Sequence, residues 1–281
     1  MTHPLAICLW FDKQAKDAFT FYQSVFPDIQ LISENPFTVN YTLAGKRFMN
    51  LNGGPEFKIN PSISFFYNAE TEDEIDAVWK KLKVDGQIRM PLNAYPWSKK
   101  YAWVEDRFGV NWQLMLEHAS ADKVYPSMVF TGDNNGKAAE AIAYYTSIFP
   151  DSKTIHTSPY GAGGQDIAEN LSYAQFQLNG QIYGAMDSSL MHAFQFNEGI
   201  SHIIIADTQE EIDYYWDHLT DAGKPGKCGW LQDRYGLSWQ VVPSCLGKFM
   251  NNPVTAPKAT YAFLQMSKFI IADLEKACEN S

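Results

Sequence analysis

The chain has 281 residues and a net charge of −10, with 22 basic and 32 acidic side chains. No basic stripe of the kind that tracks a phosphate backbone is visible, so nucleic acid is not an expected partner. Apolar residues make up 46% and aromatics 15%, which suits large hydrophobic surfaces between layers or around a pocket, while no stretch approaches the roughly 20 apolar residues of a membrane span.

The run Leu5 to Phe11 reads as a buried strand. Ala15, Ala18, Phe19, Tyr22, Val25 and Phe26 then recur at the spacing of one helix face, and Pro27-Asp28 ends it. Strand-like runs follow at Ile29 to Ser33, Phe37 to Leu43 and Arg47 to Leu51, the last two joined by a hairpin turn at Ala44-Gly45-Lys46. Ser62 to Tyr67 is the next strand. Thr71 with Glu72, Asp73 and Glu74 opens a helix with a hydroxyl cap and acids in its first turn, Ile75, Val78, Trp79 and Leu82 forming the inner face. Ile88 to Lys100 reads as an aromatic, basic loop, and two strands near Tyr101 to Glu105 and Val110 to Leu116 flank the turn Asp106-Arg107-Phe108-Gly109.

The second half repeats this order. Ala18 to Asp28, with its Phe-Tyr-Gln-Ser-Val-Phe-Pro-Asp ending, answers to Ala141 to Asp151, and Trp103 to Gln113 answers to Trp230 to Gln240. Glu74-Ile75-Asp76 and Trp79 answer to Glu211-Ile212-Asp213 and Trp216. Two domains are therefore expected, at 1–120 and 124–246, each of roughly 120 residues and long enough to bury a core. A linker and a docking helix over Thr260 to Cys278 would occupy 247–281. The halves differ by about twelve extra residues in the second, around Gly161-Ala162-Gly163-Gly164, and by a shortening there of the stretch that answers to Ile88 to Lys100.

Cys8, Cys228, Cys245 and Cys278 stand far apart with no CxxC pair, the pattern of reduced thiols, and the first residues lack the basic start of a signal peptide. A cytoplasmic protein is expected.

The helix ending in Phe-Tyr-x-x-Val-Phe-Pro, the segment Phe48-Met49-Asn50-Leu51-Asn52-Gly53-Gly54 and the repeated Asp-Arg-Phe/Tyr-Gly-x-x-Trp-Gln resemble the PhnB-like branch of the vicinal oxygen chelate superfamily. The tail Leu264 to Glu275 is similar to that branch's C-terminus. The superfamily includes glyoxalase I, extradiol dioxygenases and bleomycin-resistance proteins, and the branch has often been labelled 3-demethylubiquinone-9 3-methyltransferase. The resemblance implies an α+β fold of tandem glyoxalase-like domains, each a pair of βαβββ units whose curved mixed sheet forms a cup with helices outside. It also implies that the two domains pair within the chain, as a single-chain version of a homodimer; a homodimer of the whole chain is a further possibility.

Metal-dependent members place His or Glu ligands on the first, fifth and last strands. The last-strand positions here are Gln113 and Gln240, four residues after Gly109 and Gly236, and the fifth-strand positions offer Ser62 or Ser64 in one half and Ser201 or His202 in the other. A neutral amide is a weak ligand for a divalent cation, and no three-ligand set assembles in either half. His202 falls beside Ser201, on the helix-facing side by strand alternation, and His156 and His192 lie beside loops, where they read as solvated rather than catalytic. Gly161 to Gly164 has no helix behind it. Gly132-Asp133-Asn134-Asn135-Gly136-Lys137 is one residue short of a phosphate loop.

The expected function is binding of a small organic molecule, with no catalytic residue, metal or cofactor assigned. Directional contacts would come from Gln113, Ser64, Asn50 and Asn52 in one half and from Gln240, Ser201 and Asp187 in the other, with Trp10 and Trp103 as aromatic walls. The alternatives are a metal-dependent lyase or dioxygenase of the same superfamily and a partner-binding module whose cups are filled by side chains.

Overall fold

The computed structural model describes residues 3–117 and 122–279. Four βαβββ quarters follow one another. The first holds β1 (Ala6–Phe11), α1 (Ala15–Val25), β2 (Ile29–Glu34), β3 (Thr38–Leu43) and β4 (Lys46–Asn52). The second holds β5 (Ile63–Ala69), α2 (Glu72–Leu82), β6 (Gln87–Tyr95), β7 (Ser98–Glu105) and β8 (Asn111–Leu116). The third holds β9 (Val124–Thr131), α3 (Ala138–Ile148), β10 (Lys153–Pro159), β11 (Leu171–Leu178) and β12 (Gln181–Ser188). In the fourth are β13 (Ile200–Ala206), α4 (Gln209–Thr220), β14 (Lys224–Pro225), β15 (Trp230–Gln232) and β16 (Ser238–Pro243). Three short helices follow: α5 (Leu246–Met250), α6 (Ala256–Leu264) and α7 (Ile271–Glu279).

The described chain divides into two compact units, residues 3–7 with 201–279 and residues 8–117 with 122–200. The larger unit contains a complete eight-stranded sheet in the order β10-β11-β12-β9-β5-β8-β7-β6. Its seam is the antiparallel pair β5 and β9, in which Ser64 faces Ser127 and Phe66 faces Tyr125. The same unit carries the antiparallel ladder β4-β3-β2. The smaller unit carries β14-β15-β16-β13, with β13 and β16 parallel.

The expected mixed sheet is present and is assembled across the repeat. The complete sheet joins the second quarter to the third, one from each half. β5 and β9 are buried along their whole lengths, so neither could serve as a solvated edge. Two corrections are local. Ile88 to Lys100 is not a loop but most of the β6–β7 hairpin, and its register is broken three times by irregularities. The tail helix is two helices, α6 and α7, separated by six residues.

What each half does share is a core on the helix-covered side. In the first half Tyr22, Phe26, Tyr41, Phe48, Phe65, Tyr67 and Trp112 are all buried and touch in sequence, with ring centroids 4.7 to 5.6 Å apart. The helices open as their caps dictate: Thr71 Oγ1 accepts from the Glu74 N–H, and Thr208 Oγ1 from that of Glu211.

A buried carboxylate pins this core. Asp106 is 3% exposed. Its Oδ2 accepts from Tyr22 Oη (3.0 Å) and Trp112 Nε1 (2.9 Å), and its Oδ1 from the backbone N–H groups of Phe108 and Val110. Burial pushes its carboxyl up to about 6, against the pull of the four donors. Asp233 repeats the device, accepting from Trp239 Nε1 and from the N–H groups of Tyr235 and Leu237. Replacing Asp106 by Ala orphans four buried donors and is expected to cost about 3–5 kcal/mol of unfolding free energy in urea titrations. Tyr22→Phe, which removes a single donor, should cost only about 1 kcal/mol.

Lys46 has the opposite character. It is 5% exposed, with Nζ 3.8 Å from Asp122 Oδ2 and 5.3 Å from the centre of the Tyr183 ring. Burial lowers its pKa to about 8 from 10.5, against the attraction of Asp122. A lysine with a lowered folded pKa penalises the fold fully below that value, and the penalty fades as pH rises toward 10.5. Lys46→Met is therefore expected to stabilise the protein at pH 7 by about 1–3 kcal/mol. Its advantage in urea titrations should shrink steadily between pH 8 and 10.

Candidate functional site

Strand alternation sorts the complete sheet into two faces. Trp112 and Leu114 on β8 turn to the helices, so Gln113 and Met115 turn to the other, uncovered face. They are joined there by Ser64 and Phe66 from β5, Tyr101 and Trp103 from β7, Tyr125 and Ser127 from β9, Tyr173 and Gln175 from β11, and Ile182 from β12. Both halves of the chain therefore line it.

At its centre Gln113 is held at both ends. Its Nε2 donates to Ser64 Oγ (2.7 Å) and its Oε1 accepts from Tyr101 Oη (2.5 Å). Around it Phe66, Tyr101, Tyr125 and Ile182 form a buried apolar cluster, with Met90, Tyr95, Trp103, Met115 and Tyr173 packed against it and only partly buried. Phe66 and Tyr125 stack at 4.9 Å and 9°. The hydroxyls of Tyr125 and Tyr173 meet at 3.1 Å. Burial raises the pKa of Tyr101 and Tyr125, which keeps both as neutral phenols. The β6–β7 hairpin adds a flank: Trp97, 58% exposed, stacks on Tyr95 at 5.1 Å, and both rings stand edge-on to Tyr101.

The structure thus brings together three of the residues expected from sequence, Gln113, Ser64 and Trp103. The indole Nε1 of Trp103 donates to Asn111 Oδ1 (3.1 Å), which fixes the ring on this face. Gln240 and Ser201 form the same pair in the smaller unit, at 2.9 Å. His202, fully buried beside Trp239 at 5.0 Å, lies on the helix-facing side.

Four expectations are corrected. Asn50 does not face a cup: it sits two residues from Phe48 on the helix-covered face, where its Oδ1 accepts from Tyr41 Oη and its Nδ2 donates to Ala15 O. Asn52 Oδ1 accepts from Ala15 N at the start of α1, and its Nδ2 donates to Pro36 O. Asp187 plays the same part for α3, accepting from the N–H groups of Gly136, Ala138 and Leu171. Its carboxylate fills the spot that an anion would take at Gly132 to Lys137, so that loop is a capped helix start rather than a phosphate cradle. Trp10 lies flat over Gly53, where a Cβ would come within 2.3 Å of the ring, and donates from Nε1 to Gly54 O. Polar strand residues looked like ligand contacts; the N–H groups at the starts of α1 and α3 claim Asn52 and Asp187 instead, and the Ala15 carbonyl claims Asn50.

Sequence reasoning missed Tyr101, Phe66, Tyr125 and Tyr173. The signal was present, since alternation from Gln113 and Trp103 puts Tyr101 and Met115 on the same face, but the β5–β9 seam that delivers Tyr125 and Tyr173 is not encoded locally.

The family model of 3-demethylubiquinone-9 3-methyltransferase matches residues 3–115 and again 122–242. The chain belongs to that family. Among solved structures, the PhnB protein from Bacillus cereus is 36% identical over 40% of this chain and 98% of its own, with a TM-score of 0.38. A protein from Staphylococcus aureus is 32% identical over 41% of this chain and 98% of its own, with a TM-score of 0.19. Glyoxalase I from Zea mays covers far more, 85% of this chain and 92% of its own, with 10% identity and a TM-score of 0.57, a likeness of fold. Comparison with curated proteins gives no match. Membership of the PhnB-like branch and the tandem glyoxalase-like α+β fold, expected from sequence, are both observed.

In this PhnB-like chain the uncovered face does not suit the divalent cation of the metal-dependent superfamily members. At its centre stand two serine hydroxyls, Ser64 and Ser127, and an amide whose oxygen already accepts from Tyr101. Among the described residues no group of three His, Cys, Asp or Glu side chains could hold a metal ion. A carboxylate placed at 113 would be desolvated among aromatic rings, and its folded pKa would rise above the ordinary value of about 4.3. Such a group favours the fold when protonated and opposes it when ionised. The melting temperature of Gln113→Glu should therefore fall further below that of the parent protein as pH rises from 5 to 8, as followed by circular dichroism.

Proposed function

We infer that the uncovered face of the complete sheet binds a small, flat, uncharged organic molecule. The observation that carries this reading is the ring of partly buried Met90, Tyr95, Trp103, Met115 and Tyr173 around a floor whose polar atoms are an amide and neutral hydroxyls. Rings and thioethers offer polarizable flat surface, and phenols and an amide offer directional contacts without charge, the usual composition of a pocket for a neutral ligand. Charged groups on the flanking β6–β7 hairpin are paired with one another or with α2: Arg89 with Glu105 at 2.5 Å, and Lys100 with Glu72 and Asp76. The family's methyltransferase description does not supply the ligand. Gly161 to Gly164 lie between β10 and β11, where no helix follows to hold a nucleotide-like methyl donor.

The test is a panel of neutral quinones, phenols and flat heteroaromatics, read by thermal shift and tryptophan fluorescence. A binder should raise the melting temperature by mass action and quench the emission of Trp97 and Trp103. Trp103→Ala and Gln113→Ala should each weaken binding by about tenfold or more, roughly 1.4 kcal/mol. A panel without any shift, or binding unchanged in both variants, would favour the face as a filled core. Stoichiometric metal in protein purified without chelators would favour the enzyme reading.

A further inference from the structure

A second arrangement of groups lies at the far end of β9 and β12, and no part of the binding reading uses it. Ser188 ends β12 on the same uncovered face, opposite Thr131 of β9. Its Oγ is 2.8 Å from Nε2 of His192, a hydroxyl and an imidazole within direct proton-transfer distance. Beside them is a pocket of about 300 Å³ lined by Gly132, Asn135, Ser189, Leu190, Met191 and His192. Its rim is apolar, with Leu190 64% exposed and Met191 fully exposed.

The loop that carries His192 is held from several sides. The imidazole packs on Phe194 at 4.7 Å, and the Phe194 carbonyl accepts from Thr131 Oγ1 (3.1 Å). The backbone N–H of Ser189 donates to Asp166 Oδ2, and Asn60 Nδ2 donates to Gln195 O (2.9 Å). The ring thus packs at a tilt against Phe194 with its Nε2 within hydrogen-bond distance of the serine hydroxyl. Burial lowers the pKa of His192, so at neutral pH the imidazole is the free base, able to accept the serine proton.

We propose that Ser188 and His192 are a nucleophile and its base, and that the adjoining pocket takes the acyl group of a small, apolar ester. Ser188 Oγ bonds to the ester carbonyl carbon while its proton passes to His192 Nε2. The carbon–oxygen bond to the alcohol then breaks, and the departing oxygen takes that proton, leaving an acyl-serine. A water molecule gives its proton to the same nitrogen and attacks the acyl carbon. The acid leaves, and Ser188 recovers its proton from His192.

The experiment is labelling of the full chain with an alkyl fluorophosphonate, in which the Ser188 Oγ–P bond forms as fluoride leaves. Peptide mass spectrometry should find the adduct on Ser188. Ser188→Ala should abolish that adduct and also the release of p-nitrophenol from p-nitrophenyl butyrate, with an unchanged thermal melt. His192→Gln should slow labelling by about a hundredfold or more. In the parent protein the labelling rate should fall as pH drops and the imidazole protonates, a readout that does not depend on any variant folding. No adduct on Ser188, a rate equal in His192→Gln, or a rate indifferent to pH between 5 and 8 would overturn the proposal. None of these outcomes bears on ligand binding around Gln113.

Discussion

The arrangement rests on a carboxylate buried where the helix-side core is densest. Asp106 receives Trp112, Tyr22 and two backbone amides from its own turn, and so ties β8, α1 and the β7–β8 connection at one point. The consequence for the opposite face is direct. Once Trp112 is locked onto the helix side, the next residue along the strand must turn away from it. Gln113 is therefore aimed by its neighbour's bond to Asp106 as much as by its own contacts with Ser64 and Tyr101. The smaller unit repeats the logic, with Trp239 bonded to Asp233 and Gln240 on the other side with Ser201. The Asp-Arg-x-Gly-x-x-Trp-Gln motif is a folding device that sets its last residue on the face opposite the helices.

Duplication shows in a second place. Asn60 donates to the carbonyl of Gln195, and Asn197 donates to the carbonyl of Lys58. Each asparagine also receives a backbone N–H two residues on, from Ser62 and Gly199. Counted from Ser64 and Ser201, Asn60 and Asn197 occupy the same position in their halves, so the contacts are reciprocal. Gly199 comes so close to the Lys58–Ile59 backbone that a Cβ would fall within 2.6 Å of it, which restricts that position to glycine.

What was legible in the residues was whatever depends on neighbours along the chain. The helix cap at Thr71, the apolar face of α1 and the hairpin at Ala44-Gly45 all follow from local sequence. What was not legible depends on distant partners. The antiparallel seam of β5 with β9 cannot be read from two buried runs, because a run buried on both sides does not say which strand lies beside it. Asn52 and Asp187 were misread for a related reason. A polar residue on a strand that is polar on one face and apolar on the other looks like a site residue, unless the helix start it caps is known to lie above it. The break between α6 and α7 was hidden because the apolar positions of the intervening tail continue a helical rhythm.

That tail marks where the two halves part. In the second quarter a long hairpin, β6–β7, carries Tyr95, Trp97 and Tyr101 over the uncovered face. In the fourth quarter the hairpin is reduced to β14 and β15, and residues 266–269 dock against it. Cys228 N and Gly229 N donate to the carbonyls of Met266 and Ser267, and Phe269 lies where Gly229 lacks a side chain. Cys228 stands two residues before Trp230, the place that Tyr101 holds before Trp103. A phenol that grips the glutamine oxygen in one quarter is thus replaced by a thiol too short to repeat the contact. Gln113 is clamped at both ends, whereas Gln240 is held through its nitrogen by Ser201, with no further hydrogen bond among the described residues. Two copies of one motif therefore present different chemistry: a saturated amide under an aromatic flank in one, and an amide with an available acceptor in the other.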